Sequence, residues 1–446
     1  MKKIFLLLIF IVLTNSILAQ TRSLVGYWQN WQDSQSPYIH LTQVDTTYNV
    51  IEVSFAVPQG GTTYNMSFTP DAVSQATLIA QIDSMKARGK KVVISIGGAT
   101  AKVILHNATE MNTFVSSMTG IINTYHFDGI DIDLENSTSL TGGTIANPVD
   151  APIINLIEGV KQLMTNFRNT HHKKMYLTMA PETAYVQGGM SGFGNIWGAY
   201  LPVVYALKDS IDILQVQLYN SGSMFGIDGR IYNQGTADFI IAMTEAVIHG
   251  FNTAGGQFPG LRADQVAVGL PACSSAAGAG SFIHPDTVQA AIKYLMGTGP
   301  KPGTYTRVST YPTLRGMMTW SINWDNMTTC HTTRYEFAKN YARIFAPNSI
   351  GVTESNFAVS DFKLNQNYPN PFNPSTLITF EVKKSSFITI KLFDNLGKLV
   401  NTIISRNYSP GSYEINFNAG NLAGGTYYYR LTSGDYSETR KMILVK

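Results

Sequence analysis

Asp128-Gly129-Ile130-Asp131-Ile132-Asp133-Leu134-Glu135 is the stretch on which the reading of this chain turns. Side chains alternate along a strand, so Asp131, Asp133 and Glu135 share one face while Ile130, Ile132 and Leu134 share the other. The apolar face belongs under a layer of helices, which turns the acidic face toward the inside of the sheet. Asp128 falls on the opposite parity and is assigned a structural role near the strand's start. Carboxylates about 6–7 Å apart in a shielded interior raise one another's pKa. Folding alone does not favour such a stack. An acid catalyst, however, needs one carboxyl held protonated near neutral pH, and Glu135, nearest the rim, is the natural proton donor. The alternatives are an exposed strand with one acidic face, or a calcium or magnesium site of clustered carboxylates. Neither accounts for the apolar neighbours, and the acids lack the loop spacing of a common calcium site.

Seven further apolar, β-branched runs accompany this one, at residues 24–28, 50–56, 91–97, 175–180, 213–220, 266–271 and 316–323, with the acidic run at 129–135. They alternate with longer helical or irregular stretches, which is the pattern of repeated βα units. Eight units over about 320 residues predict an α/β fold of the (β/α)8 TIM-barrel type, an open doubly wound sheet being the alternative that periodicity leaves. A barrel gathers its site at the C-terminal ends of its strands. Several runs end there in polar and aromatic residues: Tyr27-Trp28-Gln29-Asn30-Trp31, Gln217-Leu218-Tyr219-Asn220 and Trp320-Ser321-Ile322-Asn323-Trp324. Trp28, Trp31, Trp320 and Trp324 are expected to cluster where the first and last strands meet, offering flat surfaces for pyranose rings. A magnesium-dependent phosphoryl-transfer barrel would need a phosphate cradle; Ser95-Ile96-Gly97-Gly98 lacks a following Lys and reads as a tight strand-to-loop turn.

Over 446 residues, Lys and Arg total 32 against 29 Asp and Glu, a net charge of +3 that gives no field to attract nucleic acid or an anionic membrane. Met1-Lys2-Lys3, an apolar run from Ile4 to Leu13, then Asn15, Ser16 and Ile17-Leu18-Ala19 form a signal-peptide pattern over 1–19 with cleavage after Ala19. The apolar run is short for a membrane span and no comparable run follows; an uncleaved anchor is the alternative. Two cysteines, Cys273 and Cys330, cannot build a disulfide framework or a Cys-rich zinc site, though one bridge between them stays open. After about Ala346 the composition shifts to Asn, Pro, Ser, Tyr and Gly. A linker over 347–360 is expected to lead into a small β-sandwich over 361–446. There Ile388, Ile390 and Leu392 alternate with Thr389 and Lys391, and a turn at Leu422-Ala423-Gly424-Gly425 precedes another alternating strand.

These residues resemble glycoside hydrolase family 18, the chitinases and endo-β-N-acetylglucosaminidases. The likeness is carried by Ser95-Ile96-Gly97-Gly98, by Asp128, Asp131, Asp133 and Glu135, by Met179-Ala180-Pro181-Glu182, by Gln217 to Asn220 and by Trp320. The resemblance implies a catalytic barrel over 20–346 and a retaining mechanism in which the substrate's own N-acetyl group is the nucleophile. It implies Glu135 as acid and base, Asp133 holding the acetamide N–H, Asp131 supporting Asp133, and Tyr219 donating to the acetamide oxygen. Gln217 and Asn220 lie beside Tyr219, Trp320 forms the floor, and Tyr27, Phe55, Gly98 and Met179 complete the substrate pocket. No metal or organic cofactor is implied. Chitin or N-acetylglucosamine oligosaccharides are the implied substrates; N-glycans, cut by an endo-β-N-acetylglucosaminidase, are the second reading. A chitin-binding lectin is the third, but such relatives lose the terminal Glu, and Glu135 is present. The 272–314 segment is too short for a cleft-deepening insertion, which favours an open groove and internal cutting, although the 183–200 loop with Tyr185, Phe193 and Trp197 offers another wall. A monomer is expected.

The tail resembles the C-terminal sorting domain of the type IX secretion pathway in Tyr-Pro-Asn-Pro-Phe-Asn-Pro at 368–374, Phe-Asp-Asn-Leu-Gly-Lys at 393–398 and its basic end at 441–446. That implies an address read by secretion machinery and an extracellular or cell-surface protein. A carbohydrate-binding module would need an aromatic platform, whereas Tyr427, Tyr428 and Tyr429 alternate in and out.

Overall fold

Eight parallel strands close on themselves: β1 Ser23–Gln29, β2 Val50–Pro58, β3 Lys91–Gly97, β4 Gly129–Asp133, β5 Tyr176–Met179, β6 Ile213–Leu214, β7 Ala267–Pro271 and β8 Gly316–Trp320. The structure, a computed structural model, describes residues 22–329, 333–345, 362–382, 384–433 and 436–446. The expected signal peptide over 1–19, the expected linker over 347–360 and Cys330, with its proposed bridge to Cys273, lie outside the described residues. The strand order is β7-β8-β1-β2-β3-β4-β5-β6. Parallel bridges from Leu214 to Val266 and from Gln217 to Gly269 join β6 to β7 and complete the ring. The fold is therefore a TIM barrel and not an open sheet.

The helices that follow the strands are α1 Gln75–Ala87, α2 Ala108–Tyr125, α3 Ala151–His171, α4 Leu201–Leu207, α5 Ala237–His249, α6 Pro285–Met296, α7 Ile322–Asp325 and α8 Glu336–Phe345. Sequence starts them at defined points. Ser74, Asn107 and Thr236 each accept a backbone N–H of the first turn of α1, α2 and α5, caps worth about 1 kcal/mol apiece. In α3, Ile153, Leu156, Ile157, Val160, Leu163 and Phe167 recur every three or four residues and are buried, the spacing that puts one apolar stripe on the barrel. Strand parity supplies the other half of that layer. Leu24, Trp28, Ile51, Val53, Ile94, Ile130 and Ile132 face the helices, while Val25, Tyr27, Val50, Ala180, Ile213 and Met318 fill the barrel interior.

Three details differ from the expected runs. The strand β4 ends at Asp133, so Glu135 sits two residues beyond it. The strand β6 spans only Ile213–Leu214; Gln217 is held instead by single bridges to Glu182 and Gly269. The strand β8 stops at Trp320 because Ser321 caps α7, its hydroxyl accepting from the Trp324 N–H. Trp324 is thus on a helical turn, buried against Ala272 and Cys273.

The chain divides into two compact units, Met1–Pro347 and Asn348–Lys446. The second pairs its strands in antiparallel ladders: β9 Phe362–Leu364, β10 Ser375–Val382, β11 Ser386–Phe393, β12 Leu399–Tyr408, β13 Gly411–Asn418, β14 Gly425–Ser433 and β15 Tyr436–Leu444. They form two sheets, β9-β10-β13 and β12-β11-β14-β15. Ile388, Ile390 and Leu392 are fully buried, as their alternation predicts, with Tyr429, Leu431 and Met442 around them. Tyr428 points outward between buried Tyr427 and Tyr429. Among the described residues no helix is long and apolar enough to cross a membrane.

Candidate active site

The acid stack begins deep in the barrel. Asp131 is fully buried; its Oδ2 accepts from the Tyr27 and Ser95 hydroxyls, both at 2.7 Å, and Thr178 Oγ1 lies 2.7 Å from Oδ1. Those donors come from β1, β3 and β5, so the inward positions of three alternate strands converge on one carboxyl. Burial raises its pKa and the hydroxyl bonds pull it back. Asp133, one pleat higher, is also sealed from solvent. Its pKa stands well above the ordinary aspartate value, first through burial and then through the charges of Glu135, Asp131, Glu52 and Glu182.

Glu135 tops the stack, partly exposed, with its pKa raised by burial. Past the end of β4 it needs other anchors, and the 183–200 loop supplies them. Tyr185 donates its hydroxyl to the Glu135 carbonyl, and Tyr200 accepts from the Leu134 N–H at 2.6 Å. Gln217 Nε2 then ties the two upper acids together, 3.0 Å from Asp133 Oδ1 and 3.3 Å from Glu135 Oε1, with Ala180 O at 3.0 Å. Tyr219 is buried beside them. Burial and the charges of Asp133, Glu135, Glu182 and Glu52 push its pKa well above 10, so it stays a donor, and its hydroxyl has no hydrogen bond among the described residues.

An aromatic wall faces the acids. Phe55 and Trp320 stack at 5.9 Å and 16°, Trp31 lies over Phe55 at 6.4 Å, and Tyr27 abuts both Phe55 and Trp320. A register shift between Val53 and Ala56 of β2 accompanies the inward turn of Phe55. Gly98 makes room for that ring: a Cβ there would sit 2.9 Å from Phe55, at a φ of +77°. Its N–H donates to Asp133 O at 2.7 Å.

Several expected positions do other work. Trp28 points away from the site; it is fully buried in the layer under the helices, its indole N–H donating to Ile39 O. Parity explains this, since Tyr27 takes the inward position. Met179 is turned out for the same reason: Thr178 and Ala180 face inward and Met179 packs in the helix-side core. Asn220 spends its carboxamide oxygen on Gly278 N and Ser281 Oγ, tying the loop after β6 to the loop after β7. Asp128 holds Val92 N, Lys173 and Lys86 near the start of β4, a structural set. Two acids the sequence reading left without a role also converge here. Glu52, on β2, is fully buried below Asp131. Glu182, after β5, is raised to about 7 by burial and by Glu135. Among the described residues no group of three or more His, Cys, Asp or Glu side chains is arranged to hold a metal ion.

Residues 23–302 match the model of glycosyl hydrolases family 18, and residues 366–446 match that of the secretion system C-terminal sorting domain. The chain is 46% identical over 316 residues to a chitinase of Paenibacillus xylanexedens and 45% identical over 314 residues to Chitinase D of Niallia circulans. The alignments take in 69% and 68% of this chain and 59% of each relative, so it spans little more than half of their length. The crystal structure of a family GH18 chitinase from Chromobacterium violaceum superposes with a TM-score of 0.64 at 39% identity, covering 72% of this chain and 83% of that one.

Proposed function

The chain belongs to glycosyl hydrolase family 18, and from that premise we propose that it is a chitinase cutting β-1,4 links between N-acetylglucosamine units by a retaining, substrate-assisted mechanism. The relatives of similar sequence are chitinases. Its sorting-domain tail makes it an extracellular or cell-surface protein. The observation that carries the mechanism is Gln217 joining Asp133 to Glu135 beside a free Tyr219 hydroxyl and an aromatic wall.

A sugar ring resting on Trp320 presents its glycosidic oxygen to Glu135 and its acetamide to Asp133 and Tyr219. Glu135 gives its proton to the leaving oxygen as the C1–O bond breaks. The acetamide carbonyl oxygen forms the new bond to C1, closing an oxazolinium ring whose positive charge Asp133 offsets while accepting the N–H. Tyr219 donates to the acetamide oxygen and orients it. Water then adds to C1, Glu135 takes its proton, and the ring opens with the original configuration restored. Trp31 and Phe55 extend the stacking surface, and the short β7-to-β8 connection, with α6 as its single helix, supports an open groove and internal cutting.

The test is stereochemical. Proton NMR of the first product from N-acetylglucosamine oligomers should show the β anomer, and oligomers lacking the acetyl group should resist hydrolysis. An α anomer first, or equal cleavage of deacetylated oligomers, overturns the mechanism.

A further inference from the structure

Glu52 lies in the middle of β2, in register with Tyr27 of β1, sealed at 0% exposure. Its Oε1 is 2.7 Å from Thr178 Oγ1 and accepts Gln215 Nε2 at 2.6 Å. Its Oε2 is cut off from solvent and, among the described residues, has no N–H or O–H to accept from. A carboxylate oxygen in that position forfeits its hydration without compensation; in the neutral acid the same oxygen is an uncharged carbonyl, far less costly to bury.

Thr178 leads to the same conclusion independently. Its hydroxyl is 2.7 Å from Glu52 Oε1 and 2.7 Å from Asp131 Oδ1. A hydroxyl has one proton, so it donates to one carboxyl and must accept from the other. The Glu52–Asp131 pair therefore holds at least one proton. The donors decide which partner keeps it. Asp131 also receives Tyr27 and Ser95, bonds that favour its ionised form, whereas Glu52 has an orphaned oxygen.

We infer that Glu52 is a fourth member of the acid stack, a positioning residue that stays protonated at neutral pH and donates that proton to the Thr178 hydroxyl, which in turn donates to Asp131 and holds it as the carboxylate beneath Asp133. Electrostatics agree: burial first, then Asp131, drive Glu52 well up, and the hydrogen-bond link between the two acids raises Glu52 while lowering Asp131. The other groups facing Glu52 are Tyr27 of β1, Asp133 of β4, Tyr176 of β5 and Tyr219 beyond β6, each of which a charge on Glu52 would push up. Arg315, ahead of β8, reaches that floor through the Tyr176 hydroxyl at 3.2 Å. The catalytic consequence rests on the proposed mechanism: a charged Asp131 puts a negative charge beneath the two upper acids, so the proton that Glu135 must donate is kept to higher pH.

Two measurements on the full chain test this. Infrared difference spectra at pH 7, native minus Glu52→Gln, should show the carbonyl stretch of a buried carboxylic acid that the variant lacks; loss of carboxylate bands instead overturns the inference, whether or not the protein cleaves chitin. In the pH profile of kcat/KM, Glu52→Gln, whose amide N–H replaces the lost donor, should keep the alkaline limb in place. Glu52→Ala, with its fold checked by thermal melting, should let Asp131 take up a proton and move that limb down by about one unit. A limb displaced equally by Gln, or left in place by Ala, contradicts the positioning role. A native chain that hydrolyses nothing sinks the proposed function alone, because the infrared spectrum still decides the protonation of Glu52.

Discussion

Gln217→Leu removes the donor that joins the two upper acids while nearly conserving volume. Gln217 Nε2 gives Glu135 Oε1 a bond 3.3 Å long, and that bond lowers the Glu135 pKa against the upward push of burial. A hydrogen bond to a charged group is worth about 1.5–3 kcal/mol, and at this length the lower figure applies. At about 1.4 kcal/mol per pKa unit, Glu135 should hold its proton about one unit higher. The sign follows directly: a bond that stabilises the ionised form is lost, so protonated Glu135, the form that donates to the leaving group, persists to higher pH. The alkaline limb of kcat/KM for a chromogenic N-acetylglucosamine oligomer should therefore move up by about one unit. The maximum should fall at least tenfold, because Asp133 loses its 3.0 Å donor as well. The Ala180 carbonyl also loses its side-chain donor, so the melting temperature should drop by a few degrees. An alkaline limb that stays put or moves down refutes the assignment of Gln217 as the bridge.

Glu182→Gln should act on stability in a defined pH window. Its folded pKa, about 7, exceeds its ordinary value of 4.5, so the native carboxyl contributes fully below about 4.5 and its contribution is lost as pH rises to about 7. Melting curves of native and variant should diverge across that interval in favour of the variant. Asp128→Asn weakens the attraction of Lys173 and Lys86 to a buried carboxylate; it should cost about 1–2 kcal/mol in denaturant unfolding and leave the pH profile of kcat/KM where it is. Trp320→Ala strips the wall of its contacts with Phe55, Tyr27 and Trp31. Oligomer hydrolysis should fall about 100-fold in kcat/KM, equivalent to about 2.7 kcal/mol, with Trp320→Phe recovering much of it.

Parity along residues 128–135 was legible because a strand's period of two leaves little choice once one face is apolar, and it put Asp131, Asp133 and Glu135 on one line. The same rule, applied to residues 24–31, separates Tyr27 from Trp28; counting indoles at strand ends without it put Trp28 in the site. Met179 followed Trp28 outward for the same reason. Glu52 had a readable signal, a single acid inside Val50-Ile51-Glu52-Val53 on the inward parity with Ser54. What hid it is that burial of one carboxyl is explicable only by partners from β4, β5 and the residue after β6, which are distant in sequence. The tyrosines that hold the Glu135 backbone come from the 183–200 loop, and loop conformation has no period to read.

The most direct test of the account is release of N-acetylglucosamine oligomers from soluble chitin by the full chain, compared with Glu135→Gln. The native protein should cut chitin. The variant should lose activity by about 10²–10⁴-fold, the range for removing a positioned acid and base, while oligomer binding persists. Cleavage of N-glycans but not chitin would move the substrate to the glycan core, and binding without cleavage of either would make this barrel a lectin. Undiminished hydrolysis by Glu135→Gln would contradict the central claim.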